Sequence, residues 1–363
     1  MIALKQRGRA GLQLLGSLQY FSSTQLRDKA QQDFACQSEA AAFEQEFQEA
    51  ATQAQWEDRL RRGRDVAERS STYRRERFIQ RYVAEQNFVR AIPAVEERRT
   101  EYLHEEAQRP PPKNPANLVL NPQLEVPAYY AGVEWHLEPG GWDGYDLQGP
   151  MFMAGIGPYV FRRGGYAAVD AGDDIMAHRA KVTALFPKER YRRIYEPGCG
   201  GSGTLGIVRR RFADAELVGG DLSASLLKRG HALSEMMGWN ILLRQEDSRH
   251  TAERDGACDG VIDYALHHEM PRTVTIDTLQ EMYRILAPGG DIVISDVPPF
   301  RAVKPLQAVI LDWDTDNRAE PYFSEAGTVN LADVLRDLGF VDIDERSLGR
   351  NGYPYITRGH KPG

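Results

Sequence analysis

The sequence predicts an α/β protein whose mainly parallel sheet follows an α-helical N-terminal domain. Glycine is unevenly distributed, since residues 1–113 contain only four of the 33 glycines, and apolar residues there recur at helical spacing. Between residues 192 and 221 the pattern predicts a strand, a helix and a second strand, which is the order of a parallel sheet with a crossover helix. A glycine-rich turn at 196–203 joins the first of these strands to its helix.

Length, charge and cysteine content narrow the function. A chain of 363 residues is long enough for two or three domains. It carries 45 Lys and Arg against 52 Asp and Glu, a net charge of −7, which disfavours nucleic acid as a partner. No apolar run approaches the roughly 20 residues of a membrane span, so we expect no membrane association. The three cysteines are widely spaced and form no CxxC pair, which favours a reducing compartment and a cytoplasmic location.

Residues 1–113 are predicted to form the helical domain, mainly as two long helices. Phe34, Phe43 and Phe47 recur at helical spacing, and a second periodic run over 78–89 follows a Ser-Ser-Thr capping signal at 70–72. Amphipathic helices must bury their apolar stripe, so we expect this domain to form a homodimer or a lid. Residues 59–81 are rich in arginine, but acidic residues interleave with them. That pattern favours a solvated helix face over an RNA-binding surface.

Residues 114–179 are predicted to be a linker followed by a segment that covers the site. Proline and asparagine are frequent up to residue 127, and aromatic residues then occur among nine glycines over 129–166. The absence of a regular period favours an ordered loop over a site, with an irregular apolar plug between two domains as the alternative. Aromatic faces attract sulfonium and ammonium groups. The candidate substrate-binding residues of this segment are Trp142, Tyr145 and Tyr159.

The glycine turn indicates a nucleoside ligand. Gly198, Gly200 and Gly203 permit positive φ and a close approach of the ligand to the backbone. The next predicted strand ends at Asp221, whose carboxylate can accept hydrogen bonds from both hydroxyls of a ribose. The same glycines also satisfy the GxGxxG pattern of dinucleotide-binding proteins, so a nicotinamide cofactor is an alternative. Glu196 disfavours that alternative, because an acid at the strand end suits an ammonium and repels a pyrophosphate.

The order of motifs after residue 180 resembles that of class I S-adenosylmethionine-dependent methyltransferases. Glu196 stands where an acid precedes that family's glycines, Asp221 resembles its ribose-binding acid, and 287–290 is similar to its Pro-Gly-Gly turn. Runs at 241–246, 259–266 and 291–295 resemble its third to fifth strands, and those at 341–347 and 353–357 its closing hairpin. The resemblance covers 180–363 and implies a Rossmann-like seven-stranded sheet, mostly parallel with an antiparallel last strand. It also implies S-adenosylmethionine as the cofactor.

The resemblance also assigns the site. In an open α/β sheet, residues that follow the fourth and fifth strands face the acceptor. His267 or His268 is there a candidate general base that Glu269 or Asp296 orients, although histidines at this turn also cap helices or pack against adenosine. Asp296 and Trp313 are expected to contact the substrate. The residues expected to bind the cofactor are Glu196, Gly198, Cys199, Gly200, Gly203, Asp221, Leu222, Asp247, Ser248 and Tyr264.

Other candidate ligands lie nearby in the sequence. His136 and Glu138 are metal-ligating residue types, but nothing in their spacing relative to 267–269 requires a metal, and we expect none. Arg162 and Arg163 are candidate partners for the carboxylate of the cofactor or for an acidic substrate.

The expected function is therefore transfer of a methyl group from S-adenosylmethionine to a small-molecule acceptor, at an O, N, S or C centre, in specialised metabolism. The first alternative is an RNA or protein methyltransferase that docks its substrate through the arginine-rich helix. A nicotinamide-dependent oxidoreductase and a non-catalytic scaffold are further alternatives. No Asn-Pro-Pro-Tyr or Asp-Pro-Pro-Tyr tetrapeptide, typical of amino-group methylation in nucleic acids, follows the fourth predicted strand.

Overall fold

The structure is a computed structural model that describes residues 2–49, 51–163, 174–349 and 351–363. Part of the segment expected to cover the site, residues 164–173, lies outside the described residues. The described N-terminal residues form six α-helices rather than the two that were predicted, because a π-helical turn at Ser22–Leu26 and several short breaks interrupt the α-helical pattern. These helices are α1 (Gln6–Phe21), α2 (Arg27–Ala35), α3 (Ala40–Glu46), α4 (Gln53–Ala67), α5 (Ser71–Glu96) and α6 (Arg99–Ala107).

Two of the N-terminal helices begin at side-chain caps. Thr52 and Gln55 form a capping box at the start of α4. The hydroxyl of Ser70 accepts hydrogen bonds from the backbone N–H groups of Thr72 and Tyr73 at the start of α5. The capping signal at 70–72 is thus confirmed, and it lies at the beginning of the longest helix.

The described residues form one eight-stranded sheet with strand order β1-β4-β3-β2-β5-β6-β8-β7. The first six strands run parallel, and β8 is antiparallel to both β6 and β7. The strands are β1 (Leu118–Val119), β2 (Arg193–Pro197), β3 (Glu216–Asp221), β4 (Ile241–Gln245), β5 (Cys258–Tyr264), β6 (Leu286–Asp296), β7 (Val341–Ser347) and β8 (Tyr355–His360).

This topology confirms the Rossmann-like methyltransferase fold class, with one additional strand. The additional strand is β1, whose Leu118 and Val119 pair in parallel with Leu243 and Arg244 of β4. Two residues are too few to show the alternation by which a strand is recognised in a sequence. The remaining helices are α7 (Gln148–Pro150), α8 (Gly157–Tyr159), α9 (Ile175–Thr183), α10 (Gly203–Arg211), α11 (Ala224–Met237), α12 (Arg272–Ile285), α13 (Pro305–Asn317), α14 (Phe323–Thr328) and α15 (Leu331–Asp337).

The N-terminal helices pack against the rest of the chain and not only against each other. Trp56 of α4 contacts Phe300 at a ring-centroid distance of 5.7 Å, and Arg64 forms a 2.6 Å ion pair with Asp312 of α13. Leu12 of α1 is fully buried in a cluster that also contains residues of α5 and of the segment 147–160. The apolar stripe of α1 is therefore buried within the same chain.

Candidate functional site

The glycine turn lies at the carboxyl end of β2, where two of its glycines have left-handed backbones. Gly198 has φ +58° and Gly200 has φ +49°. A Cβ on Gly198 would lie 2.5 Å from the side chain of Leu266, so this position leaves no room for a side chain. Ser202 precedes α10, which begins at Gly203, and the free amides of that first turn face the end of the sheet.

Asp221, at the end of β3, is held by the glycine turn itself. Its Oδ2 accepts a 2.8 Å hydrogen bond from the backbone N–H of Gly200, and its Oδ1 accepts one of 2.8 Å from Ser223 N–H. Burial raises the pKa of Asp221 to about 6, although these two N–H groups oppose the shift. The carboxylate is fixed in the place where a ribose-binding acid is required.

Glu196 provides a buried carboxylate at the end of β2. The side chain is 2% exposed, and its Oε2 has no hydrogen-bond partner. Burial raises the pKa of Glu196 to about 8, against the influence of the Thr204 hydroxyl and Arg179. An unpaired buried acceptor is costly unless a ligand donates to it, and an ammonium group meets that requirement.

Arg179 of α9 is a site residue that the sequence analysis missed. Its Nε donates a 3.1 Å hydrogen bond to Thr204 Oγ1, and its guanidinium lies 4.6 Å from the ring centroid of Tyr264. The Tyr264 hydroxyl accepts a 2.9 Å hydrogen bond from Tyr353. Arg179 therefore stands beside the start of α10, whereas Arg163, a candidate for the same role, lies against the ring of Tyr20 on α1.

Four other expected cofactor residues are present but already engaged. The Cys199 side chain is buried in the apolar core, so only the backbone of this residue is available to a ligand. Both carboxylate oxygens of Asp247 accept hydrogen bonds from Arg249, and Ser248 exchanges a 2.9 Å hydrogen bond with Thr278. The neighbour of Asp221, Leu222, uses its carbonyl to accept a hydrogen bond from Gln245.

The segment that follows the linker lies over this end of the sheet. Asp143 accepts a 2.8 Å hydrogen bond from the Ser223 hydroxyl and a 3.0 Å hydrogen bond from Ser225 N–H, so it caps α11. Burial raises the pKa of the Tyr130 phenol, and the negative charge of Asp221 adds to that shift. Tyr129 lies under the guanidinium of Arg249 at 5.8 Å. These contacts connect the segment to the ends of β3 and β4.

The two adjacent histidines after β5 contact different acids. His267 Nε2 lies 3.0 Å from Asp263 Oδ2, both side chains are buried, and the pair is oriented as an ion pair rather than as a linear hydrogen bond. Burial lowers the pKa of His267, but Asp263 outweighs this effect and the pKa is raised. His268 Nδ1 lies 2.6 Å from Asp296 Oδ1. A 3-10 helical turn over His267–Glu269 thus directs the two imidazoles to separate partners.

Asp296, at the end of β6, is saturated by contacts within the chain. Its Oδ2 accepts hydrogen bonds from the N–H groups of Leu266 and His267, and its Oδ1 accepts from Val297 N–H as well as contacting His268. Burial lowers the pKa of His268, yet the Asp296 carboxylate raises it to about 9. Asp296 therefore orients His268 and has no free lone pair for a substrate, contrary to its assignment from the sequence.

Glu269 and His136 complete this side of the site. Glu269 Oε1 lies 3.9 Å from His268 Nε2 and 3.5 Å from His136 Nε2. His136 Nδ1 hydrogen-bonds to Glu320, and the ring of Trp142 packs edge-on against the imidazole at 5.0 Å. The structure therefore brings the predicted residues Glu269 and Trp142 together through His136.

Three residues predicted to bind substrate lie elsewhere. The Tyr145 hydroxyl donates a 2.7 Å hydrogen bond to Glu96 of α5, and Tyr159 packs in the cluster around α1. Trp313 lies under the guanidinium of Arg77 at 4.6 Å. Their aromatic rings pack between the N-terminal helices and the rest of the chain. Burial of apolar area against the protein itself accounts for these positions without a ligand.

Metal binding and membrane insertion find no support in the described ranges. Among the residues that the structure describes, no three His, Cys, Asp or Glu side chains are arranged to hold a metal ion. None of the helices in that part of the chain has the length and apolar character required to cross a bilayer.

Comparison with known proteins gives the family of the central region. Residues 194–290 match a family model of a methyltransferase domain, and this range contains the glycine turn, Asp221 and β5. The region is a class I S-adenosylmethionine-dependent methyltransferase domain. Demethylmenaquinone methyltransferase from Thermus thermophilus is 28% identical to the chain over 129 residues. The match covers 35% of this chain and 57% of that relative.

Solved structures with a similar chain path include further methyltransferases. A possible exported protein from Bordetella parapertussis gives a TM-score of 0.42 at 18% identity and covers 52% of this chain and 67% of its own. Phosphoethanolamine N-methyltransferase 2 from Haemonchus contortus, in complex with S-adenosylmethionine, gives a TM-score of 0.40 at 13% identity and covers 52% of each chain.

The residues present fit the cofactor of this methyltransferase domain. The unpaired Glu196 Oε2 suits the ammonium of the methionyl group, and the fixed carboxylate of Asp221 suits the ribose hydroxyls. Gly198 and Gly200 carry no side chain, so a ligand can approach the backbone of the glycine turn closely. S-adenosylmethionine is thus the cofactor that the domain is built to hold.

Proposed function

We propose that the protein is a cytoplasmic methyltransferase that transfers the methyl group of S-adenosylmethionine to a small-molecule acceptor of specialised metabolism. The observation that carries the proposal is the juxtaposition of two groups of residues at one end of the sheet. Glu196 and Asp221 form a nucleoside-binding half, and His268, Glu269 and Asp296 form an acid–histidine half beside it. The two halves are adjacent because β2 pairs directly with β5, and the side chain of Leu266, next to His267, lies against Gly198.

The first half has a binding role. Glu196, Asp221 and the backbone of 198–203 would hold the cofactor, with Arg179 as a further candidate for its carboxylate. When bound, the cofactor supplies an electrophilic methyl group on a sulfonium. The covering segment, tied to Ser223 and Ser225 by Asp143, excludes water from the reacting atoms.

The second half has a proton-handling role. An acceptor that reacts through a hydroxyl or a protonated amine must lose a proton, whereas a thioether or a neutral nitrogen need not. His268 is oriented by Asp296, and with a pKa of about 9 its imidazole holds a proton at neutral pH. If His268 itself takes the proton, methylation should accelerate as the pH rises towards 9, whereas transfer of the proton to the neighbouring carboxylate of Glu269 does not require a neutral His268.

Ion pairs between arginines of residues 59–81 and acidic residues of the same chain support a small-molecule acceptor over RNA. Arg64 is bound by Asp312, Arg77 by Glu76 and Arg69 by Glu39. The guanidinium of Arg59 donates to the carbonyl of Glu49 and packs on Trp56. Arginines engaged in this way are not available to neutralise phosphates.

Calorimetric titration of the purified protein with S-adenosylmethionine, S-adenosylhomocysteine and NAD tests the proposal. We expect both sulfur nucleosides to bind and NAD to give no heat, because the buried, unpaired Oε2 of Glu196 requires a hydrogen-bond donor and the oxygens of a pyrophosphate are acceptors. Binding of NAD alone would indicate an oxidoreductase. If neither sulfur nucleoside binds, the methyltransferase proposal is wrong. Salt-sensitive retention of RNA by the protein would favour a macromolecular substrate.

A homodimer through the N-terminal helices remains a proposal. The stripe of α1 is covered within the chain, so the support comes from apolar side chains that stay exposed. Phe78 and Val89 of α5 are 73% and 61% exposed, and Leu14 of α1 is 54% exposed. Sedimentation velocity should show a dimer at micromolar concentration, and a strict monomer would count against this assembly.

A further inference from the structure

His136 adopts a backbone conformation that residues with side chains rarely have. Its φ is +58° and that of Leu137 is +66°, both in the left-handed region. Outside glycine, this region is populated by a few per cent of residues, among which Asn, Asp and His are enriched, and strained residues of this kind cluster at functional sites. The backbone conformation at 136–137 therefore makes the His136 side chain a candidate functional group.

Both ring nitrogens of His136 face carboxylates from distant parts of the chain. Nδ1 hydrogen-bonds to Glu320, which precedes α14 and is itself buried, and Nε2 lies 3.5 Å from Glu269 Oε1. The side chain of His136 is only 12% exposed, and Trp142 packs against its ring. Burial lowers the pKa of His136, but Glu320 and Glu269 raise it to about 10, so the imidazole is protonated at neutral pH.

Glu269 therefore lies between two imidazole rings. The same oxygen, Oε1, is 3.5 Å from His136 and 3.9 Å from His268, which Asp296 holds in turn. With three carboxylates and two protonated histidines, the cluster carries one net negative charge and can accept one proton. Glu269 is its most exposed member, with 19% of the side chain accessible, so it is the carboxylate of the cluster that an acceptor can reach most easily.

We propose that His136 is a positioning residue of the acceptor site, which holds Glu269 from a second side so that this carboxylate takes the proton of an O–H or N–H methyl acceptor. The proposal rests on the proposed function. In the step, a bond forms between the acceptor atom and the methyl carbon while the carbon–sulfur bond breaks and leaves its electron pair on sulfur. The acceptor proton passes to Glu269, so the cluster becomes neutral.

The test compares two ligands that differ by a methyl group and one positive charge. S-adenosylmethionine carries a sulfonium and S-adenosylhomocysteine does not, so the ratio of their affinities reflects the charge of the cluster. His136→Asn suits the left-handed backbone and removes a positive charge, and we expect it to increase the preference for S-adenosylmethionine about threefold to tenfold at neutral pH. Glu269→Gln removes a negative charge and should change the ratio in the opposite direction.

Opposite changes of the affinity ratio in the His136 and Glu269 variants distinguish this role from a structural one, since loss of packing would weaken the binding of both ligands together. His231→Asn is the matched control: His231 is also a buried histidine near a glutamate, Glu235 at 3.9 Å, but it lies on α11 outside the cluster. It should leave the ratio unchanged. If His136→Asn does not fold, His136→Gln makes the same charge change.

Two results would overturn the proposal. One is an unchanged affinity ratio in both His136 variants that bind the ligands normally, and the other is a change of the same sign in the His136 and Glu269 variants. If the wild-type protein binds neither sulfur nucleoside, it is the methyltransferase function itself that fails, so the two failures are distinguishable.

Discussion

The nucleoside-binding half and the acid–histidine half of the site lie side by side but are built differently. The first is local in sequence, since Glu196, the glycine turn and Asp221 lie within 26 residues and the backbone supplies most of the polar groups. The second is assembled from side chains that are far apart, with His136 and Glu320 separated by 184 residues. A ligand common to a family can be recognised by a short motif, whereas the acceptor side depends on how distant segments pack.

The largest effect should come from breaking the acid–histidine half. Asp296→Ala removes the partner of His268 and the acceptor of three backbone N–H groups, so we expect the free energy of unfolding to fall by about 3–5 kcal/mol. Chemical denaturation measures this loss. The exposed Asp333, paired with Arg336, provides the control, and Asp333→Ala should cost less than about 0.5 kcal/mol. A similar small loss for Asp296→Ala would mean that the buried pair does not stabilise the fold.

Breaking the nucleoside-binding half should reduce ligand affinity more than stability. Asp221→Ala should weaken S-adenosylhomocysteine by about 1–3 kcal/mol, because the ribose hydroxyls lose a fixed acceptor. Titration calorimetry measures the change. Asp259 is the matched control, since it also accepts backbone N–H groups, those of Arg192 and Arg193, but at the opposite end of the sheet. Equal affinity losses in both variants would remove the ribose role of Asp221.

The smallest expected effect is a dependence on pH that comes from Glu196. Its pKa of about 8 means that the carboxyl is neutral at lower pH, so affinity for the ammonium of S-adenosylhomocysteine should increase from pH 6 to 8, by up to about tenfold per pH unit. Glu196→Gln should remove this dependence. A wild-type affinity that is constant over the range would show that the ammonium does not bind at Glu196.

Glu196 should also make the stability of the free protein depend on pH. The pKa of Glu196 is higher in the folded state than the usual value of 4.5 for a glutamate, so the unfolded chain ionises first and stability decreases as pH rises from about 4.5 to 8. The free protein carrying Glu196→Gln should therefore gain stability over the wild type across that window. Thermal denaturation at pH 5 and pH 8 measures the difference.

The sequence was sufficient for features that repeat or that lie close together along the chain. The succession of strands after residue 180 was predicted from the order of motifs that resembles the family, and α10 begins at Gly203, at the end of the predicted glycine turn. Arg179 gave no signal because a single arginine on a short helix has no pattern. Tyr145 was placed at the site because it belongs to a cluster of aromatic residues, and Trp313 because it follows the fifth predicted strand. Neither pattern indicates the direction in which a side chain is buried. The contact between His136 and Glu320 depends on tertiary packing alone.

The two-residue strand β1 has a consequence for solubility. It pairs with β4, which would otherwise be the outermost strand of the sheet on that side. An open strand edge is a template for pairing with other molecules and hence for aggregation. The bonds of Leu118 and Val119 occupy part of that edge, and the N–H of Asn121 continues the connection by donating to the Gln245 side chain. The linker between the helices and the covering segment thus also protects the edge of β4 from β-pairing with other molecules.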